Sequence, residues 1–380
     1  QLTNLLNTID RLEVVNASTI HIKTKKPDPL LLNKLAVTLI FPVGNGLKPF
    51  PTEKMNEQPV GTGPYAFVSG DKDSIVLKRF DPYYGRKPYF PEVILKTILD
   101  KRDRLMALRD GTVHMLADVP PAAVAELRKD DFLIASVPSL EVNFLMFDFE
   151  NNLFKDKNAR LAVTEAINHQ NFVDLAGGFA RPVGQFVSSG VFGFNPEISP
   201  PNFNSDEARK KMETAFNALS QKPNISLDYP EGLDIIGEYL QVQLREVGLD
   251  LGLNPLSNAD LVAKILEGRS SFYYLGWRSE LGDASDFLQA IAHSKDPDGS
   301  FGRFNGNHYA NKRLDELIEK SQQDLNPKTR LKALQEAMKI LIKQDAIGVP
   351  LFEADTLFAF NKQLRFEPRV DGYIYPSEIY

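Results

Sequence analysis

Apolar positions change their period along this chain. A short stretch of helical spacing (Leu2, Leu5, Leu6, Ile9) gives way to alternation at Leu12, Val14 and residues 19–22. Strand-like runs follow at 65–68 and 74–80, set between the turn formers Gly61-Thr62-Gly63-Pro64 and Asp81-Pro82. Short helices are predicted at 103–110 and 122–127, and 142–149 reads as a strand dense in Phe and Met. From residue 156 helices dominate. Asp156 is placed to cap one whose apolar face is Leu161, Ala162, Ala166 and Ile167, and Ala208, Met212, Ala215, Phe216 and Leu219 make the stripe of another.

Residues 225–276 carry the most informative pattern. A strand at 225–229 precedes an amphipathic helix (Leu233, Ile236, Leu240, Leu244, Val247) stopped by Gly248. Alternating Leu249, Leu251 and Leu253 form a second strand, Ser257 and Asp260 a capping box for a second helix, and 272–276 a third strand. This βαβαβ order implies parallel strands, and in such sheets ligands sit outside the carboxyl ends of the strands. Helices at 314–321 and 331–341 follow, the latter with Asn326 as cap and Pro327 in its first position, then a strand at 349–360. The chain thus reads as two α/β lobes with crossings near 147–152 and 346–350.

Composition narrows the function classes. The 380 residues suffice for two or three cores, and 50 acidic against 44 basic residues leave no basic field for a nucleic acid. Cysteine is absent, which removes thiol nucleophiles, disulfides and thiolate metal sites. The nearest approach to a membrane span, 35–43, is interrupted by Thr38 and Pro42. None of the five histidines stands at i, i+4 to another, and no nucleophile elbow, P-loop or dinucleotide fingerprint occurs. No metal, cofactor or catalytic set is therefore expected.

The segment 276–287, Gly-Trp-Arg-Ser-Glu-Leu-Gly-Asp-Ala-Ser-Asp-Phe, holds the only tryptophan and follows directly on the third strand. Trp277 offers an apolar face, Arg278 a carboxylate clamp and Glu280 a partner for an ammonium, while Asp283 and Asp286 make the surroundings acidic. Asp228 and Glu231, at the end of a neighbouring strand, add to that charge. A solvated acidic loop beside a core Trp accounts for the same residues equally well.

Several blocks together resemble family 5 of the extracellular solute-binding proteins, the oligopeptide, dipeptide and nickel receptors of ABC importers. They are Pro59–Tyr65, Phe80–Pro88, Ala107–Gly111 with Asp118–Pro121, Phe147-Asp148 with Phe154–Asp156, Arg160 and Ala166–Asn168, then Gly276-Trp277 and Val349–Phe352. The resemblance implies an α/β, two-lobed periplasmic-binding-protein-like fold with a cleft between lobes, the first lobe lacking its amino-terminal part. Lobe I is then 1–148, lobe II 149–346, and 347–380 returns to lobe I. It implies no enzyme and no cofactor but a monomeric receptor, periplasmic or extracellular and lipid-anchored. Such a receptor captures a small peptide or similar cationic or zwitterionic solute by hinge closure and passes it to an ABC permease. The ligand residues would be Trp277, Arg278, Glu280 and Asp283, with Phe147 and Asp148 at the hinge; Glu280 stands where peptide-binding members carry the Asp that receives the ligand ammonium. The same fold also serves as the sensor of cytoplasmic transcription regulators, which is the alternative.

Overall fold

The structure, a computed structural model, describes residues 5–40, 42, 57–297 and 299–380. In chain order, β1 (Ile9–Asn16) and β2 (Thr19–Thr24) form an antiparallel hairpin, followed by α1 (Leu31–Ala36). Strands β3 (Tyr65–Gly70), β4 (Ser74–Arg79) and β5 (Glu92–Lys96) make an antiparallel three-stranded sheet. Then come α2 (Lys101–Arg109), β6 (Met115–Leu116), α3 (Val124–Lys129) and the long β7 (Phe132–Phe147). The next stretch holds α4 (Lys157–Ala166), α5 (Gln170–Leu175), β8 (Ala180–Pro182) and α6 (Ser205–Asn217). The βαβαβ run is β9 (Ile225–Pro230), α7 (Asp234–Glu246), β10 (Leu251–Leu256), α8 (Asn258–Leu266) and β11 (Phe272–Arg278). After α9 (Ser285–Phe287), α10 (Lys312–Ser321) and α11 (Pro327–Lys339) comes β12 (Gly348–Asn361).

The chain divides into two compact units: residues 1–37 with 139–354, and 38–138 with 355–380. These do not coincide with the segments 1–148, 149–346 and 347–380 expected from sequence. Both later boundaries fall inside continuous strands, β7 at Pro138/Ser139 and β12 at Ala354/Asp355, where no turn or loop marks the passage of the chain from one unit to the other. Residues 1–37 group with 139–354, and Asn33 Nδ2 donates to the Leu281 carbonyl at 2.9 Å. Part of the predicted opening helix, 1–4, lies outside the described residues; Leu5–Thr8 are turns, and Ile9 already pairs with Thr24 in the hairpin.

In the larger unit the strand order is β10-β9-β11-β7-β12, with β9 parallel to both β10 and β11 as the βαβαβ pattern requires. β7 then runs antiparallel to β11, so the sheet is mixed. Two cores flank it. Ile225, Leu227, Tyr229, Leu240 and Leu244 pack with Leu145, Phe147 and Phe272 on one side. Leu261, Ile265, Phe287, Leu334 and Met338 pack with Val142, Phe144, Met146 and Tyr273 on the other. The helix starts are built as their sequences dictate: Asp156 Oδ1 accepts from Asn158 N–H (2.8 Å), Ser257 Oγ from Asp260 N–H (3.2 Å) and Asn326 Oδ1 from Lys328 N–H (3.0 Å). Gly248, at φ 85°, takes the left-handed conformation that ends α7. In the smaller unit Val137, Phe358 and Phe360 form a core with Phe366 and Ile374, and β6 pairs with the far end of β12 through Phe360 and Ala359.

Candidate functional site

The register of β7 against β11 sets out the site. Trp277 faces Val142, Gly276 faces Asn143 and Arg278 faces Glu141. Because successive strand side chains alternate between faces, Trp277 joins the Phe144 and Phe287 side, while Arg278, Gly276, Glu141 and Asn143 belong to the Leu145 and Tyr274 side.

On the first face the half-buried indole of Trp277 meets Phe304 (5.8 Å, 68°) and Phe287 (6.3 Å, 80°) edge to face. Its Nε1–H points at Asp286 Oδ1, 3.4 Å away, and the same oxygen accepts from Phe287 N–H at 2.5 Å. Burial pushes the Asp286 carboxyl up to about 7, the nearby Asp283 charge adding to the effect and these hydrogen bonds opposing it.

On the other face Tyr274 Oη donates to Asn143 Oδ1 at 2.7 Å. The Glu141 carboxylate lies over the backbone of Gly276, so that a Cβ there would stand 2.6 Å from Glu141 Oε1. The Glu141 carboxylate makes no hydrogen bond or ion pair among the described residues, the residue's backbone N–H donating to Ser139 Oγ, and the buried Nε of Arg278 has no acceptor. Burial raises the Glu141 carboxyl, against the pull of Arg278.

The remaining expected residues go elsewhere. Glu280 is exposed at the turn after β11, its side chain unpartnered among the described residues. Asp283, 3% exposed, is held by both Nη atoms of Arg330 (2.6 and 2.8 Å) and accepts from Ser285 N–H. It is a structural ion pair closed upon itself, and has no free oxygen to offer a ligand. Phe147, fully buried, stacks on Phe272 at 5.4 Å and sits well inside the larger unit, eight residues past the boundary at 138/139. Asp148 accepts from His308 Nδ1 (2.8 Å) and Glu150 N–H (3.0 Å), tying a loop down. Neither lies at a crossing between units. Asp228, 2% exposed, is likewise neutralised by Lys264 (2.7 Å), with Asn254 and Ser270 as further donors. In the smaller unit a groove of about 1240 Å³ is lined by Tyr83, Arg86, Arg365, Arg369, Tyr375 and Tyr380, none of them an expected site residue.

Sequence reasoning missed Glu141 and Asn143. The signal was present: in Glu141-Val142-Asn143-Phe144-Leu145-Met146-Phe147 two polar side chains share the parity of Leu145 and Phe147, which a strand entering a core does not need for packing.

Residues 2–299 match the sequence profile of the bacterial extracellular solute-binding proteins, family 5 Middle. The chain belongs to that family. This family 5 protein is 24% identical over 377 residues to the glutathione-binding protein GsiB of Salmonella choleraesuis, covering 95% of this chain and 72% of that one. Its fold matches the substrate-binding protein CtaP of Listeria monocytogenes with a TM-score of 0.85 at 20% identity, over 98% of this chain and 77% of that one. It also matches DppA of Helicobacter pylori, solved with the peptide STSA, at a TM-score of 0.78 and 20% identity, over all of this chain and 75% of that one. The family 5 protein therefore has the α/β fold of the two-lobed binding proteins and is a receptor of solutes, not an enzyme. Its family is extracellular or periplasmic, and among the described residues no helix is long and apolar enough to cross a membrane. The regulator alternative finds no support in these matches.

Proposed function

We propose that this protein is the receptor of an ABC importer and captures small peptides or similar zwitterionic or cationic solutes at the end of β11. The observation that carries the reading is the carboxyl end of β11, a strand parallel to β9, where the half-buried Trp277 stands on one face, Arg278 with its partnerless Nε on the other, and the exposed Glu280 follows in the turn. Trp277 supplies apolar area, Arg278 a donor for carboxylates and Glu280 negative potential at the rim. The relatives support the same class: one is named for glutathione and another was solved with a peptide, both solutes that carry amine and carboxylate together. The chain passes between its units within β7 and β12, and these passages, at 138/139 and 354/355, are the hinge on which ligand acts. Delivery to a membrane permease, monomeric and with lipid anchoring in cells that lack an outer membrane, completes the reading.

Isothermal titration calorimetry of the full chain against glutathione, short alanyl peptides, maltose and amine-free dicarboxylates tests it. Saturable 1:1 binding of the amine-bearing solutes is expected. Binding confined to the dicarboxylates or to maltose overturns the reading.

A further inference from the structure

Glu141 and Arg278 are opposite charges placed as neighbours and left unpaired. Ser279 N–H donates to the Leu140 carbonyl at 3.2 Å, which makes Ser279 and Leu140 a hydrogen-bonded pair and the adjoining Arg278 and Glu141 a non-hydrogen-bonded one. Side chains at such positions start about 5 Å apart and ordinarily meet. Here they do not: no ion pair joins them, the guanidinium finds no acceptor although its Nε is buried, and the carboxylate lies back over Gly276. Two half-buried opposite charges that share a sheet face without closing an ion pair gain most from a group that offers a counter-charge to each. Asn143 completes the arrangement. Its Oδ1 is engaged by Tyr274 Oη at 2.7 Å, and its Nδ2 makes no hydrogen bond among the described residues.

We propose that this cluster binds an α-amino-acid head group, its ammonium on Glu141 and its carboxylate on Arg278 and Asn143 Nδ2. A simple anion would satisfy Arg278 but be repelled by Glu141, a simple cation the reverse, and a sugar would leave both charges unpaired. A group bearing both charges on one carbon satisfies all of them. In an ordinary peptide the two charges stand at opposite ends, whereas a γ-glutamyl peptide keeps them together, so the favoured solutes are γ-glutamyl peptides and free amino acids. This rests on the receptor reading above and narrows it.

Calorimetry of the full chain with glutathione and with cysteinylglycine, the same peptide without its γ-glutamyl head, tests the assignment. The wild-type protein binds glutathione the more tightly. Glu141→Gln and Arg278→Gln each weaken glutathione by about thirty-fold or more, the effect of truncating one partner of a buried charge pair, and erase the preference. Gly276→Ala, whose Cβ intrudes on Glu141 Oε1, produces the same loss by a route that leaves both charges in the chain. Circular dichroism melting of each variant separates lost binding from lost folding. A preference for cysteinylglycine, a preference that survives all three folded variants, or one abolished by Glu280→Gln alone overturns the head-group assignment and leaves the receptor standing. Failure of the wild-type protein to bind any of these peptides overturns the receptor reading itself.

Discussion

Asp286 gives stability a pH dependence that can be worked out from its surroundings. Its carboxyl is largely buried beside Trp277, accepts hydrogen bonds from Trp277 Nε1–H and Phe287 N–H that only partly offset the burial, and has the Asp283 charge close by, so the protonated form is favoured up to about pH 7. The folded value lies above the unfolded one. The stability the group contributes is therefore fully present below the unfolded value and is lost as pH rises through the folded one. A rise from 3.8 to about 7, at 1.36 kcal/mol per unit, corresponds to about 4 kcal/mol between pH 4 and 8. Asp286→Asn keeps an oxygen for Trp277 Nε1–H and Phe287 N–H but cannot ionise. Urea unfolding followed by the fluorescence of Trp277, the only tryptophan, measures both proteins across that range. Groups that titrate elsewhere cancel in the difference. The variant is expected to match the wild-type protein near pH 4 and to exceed it by up to about 4 kcal/mol at pH 8. A difference that stays constant within about 0.5 kcal/mol, the size of an ordinary surface effect, refutes the reasoning.

Three further outcomes follow from the same geometry. Arg330→Met leaves Asp283 charged and unpaired in the core and lowers unfolding stability by about 3 to 5 kcal/mol, whereas an exposed pair would cost under about 1. Glu280→Gln, at an exposed position, weakens a cationic peptide by roughly 0.2 to 1 kcal/mol in calorimetry; a loss above about 2 kcal/mol makes Glu280 a buried anchor of the bound state. Small-angle scattering shows a smaller radius of gyration at saturating glutathione, and an unchanged radius counts against a hinge at the β7 and β12 passages.

Elements whose ends carry their own chemistry were legible in the sequence. Asp156, Ser257, Asn326 with Pro327, and Gly248 mark helix ends because one side chain, or one missing side chain, satisfies the local backbone. The parallel β9, β10 and β11 were legible for the same reason, since two helical periods intervene between three short strands. The extent of β7 was not. Its buried half reads as a strand, but residues 132–141 alternate weakly, and only pairing with β11 reveals that it continues. For the site, the sequence located the β11 end and the indole. It could not tell which acids are spent: Asp283 lies 47 residues from Arg330 and Asp228 lies 36 from Lys264, distances at which pairing is set by the fold alone. Asp148 was placed at a hinge by its motif, yet its partner His308 holds it to a loop of the same unit.

The central claim is that a solute is held at the end of β11. The protein has one indole, so its ¹H–¹⁵N spectrum contains a single indole Nε1–H signal, that of Trp277. Titration with glutathione should move this signal saturably, with the Kd found by calorimetry. An indole signal that stays in place while calorimetry records full binding would contradict the claim, because Trp277, on the strand that bears Arg278, would then form no part of the site.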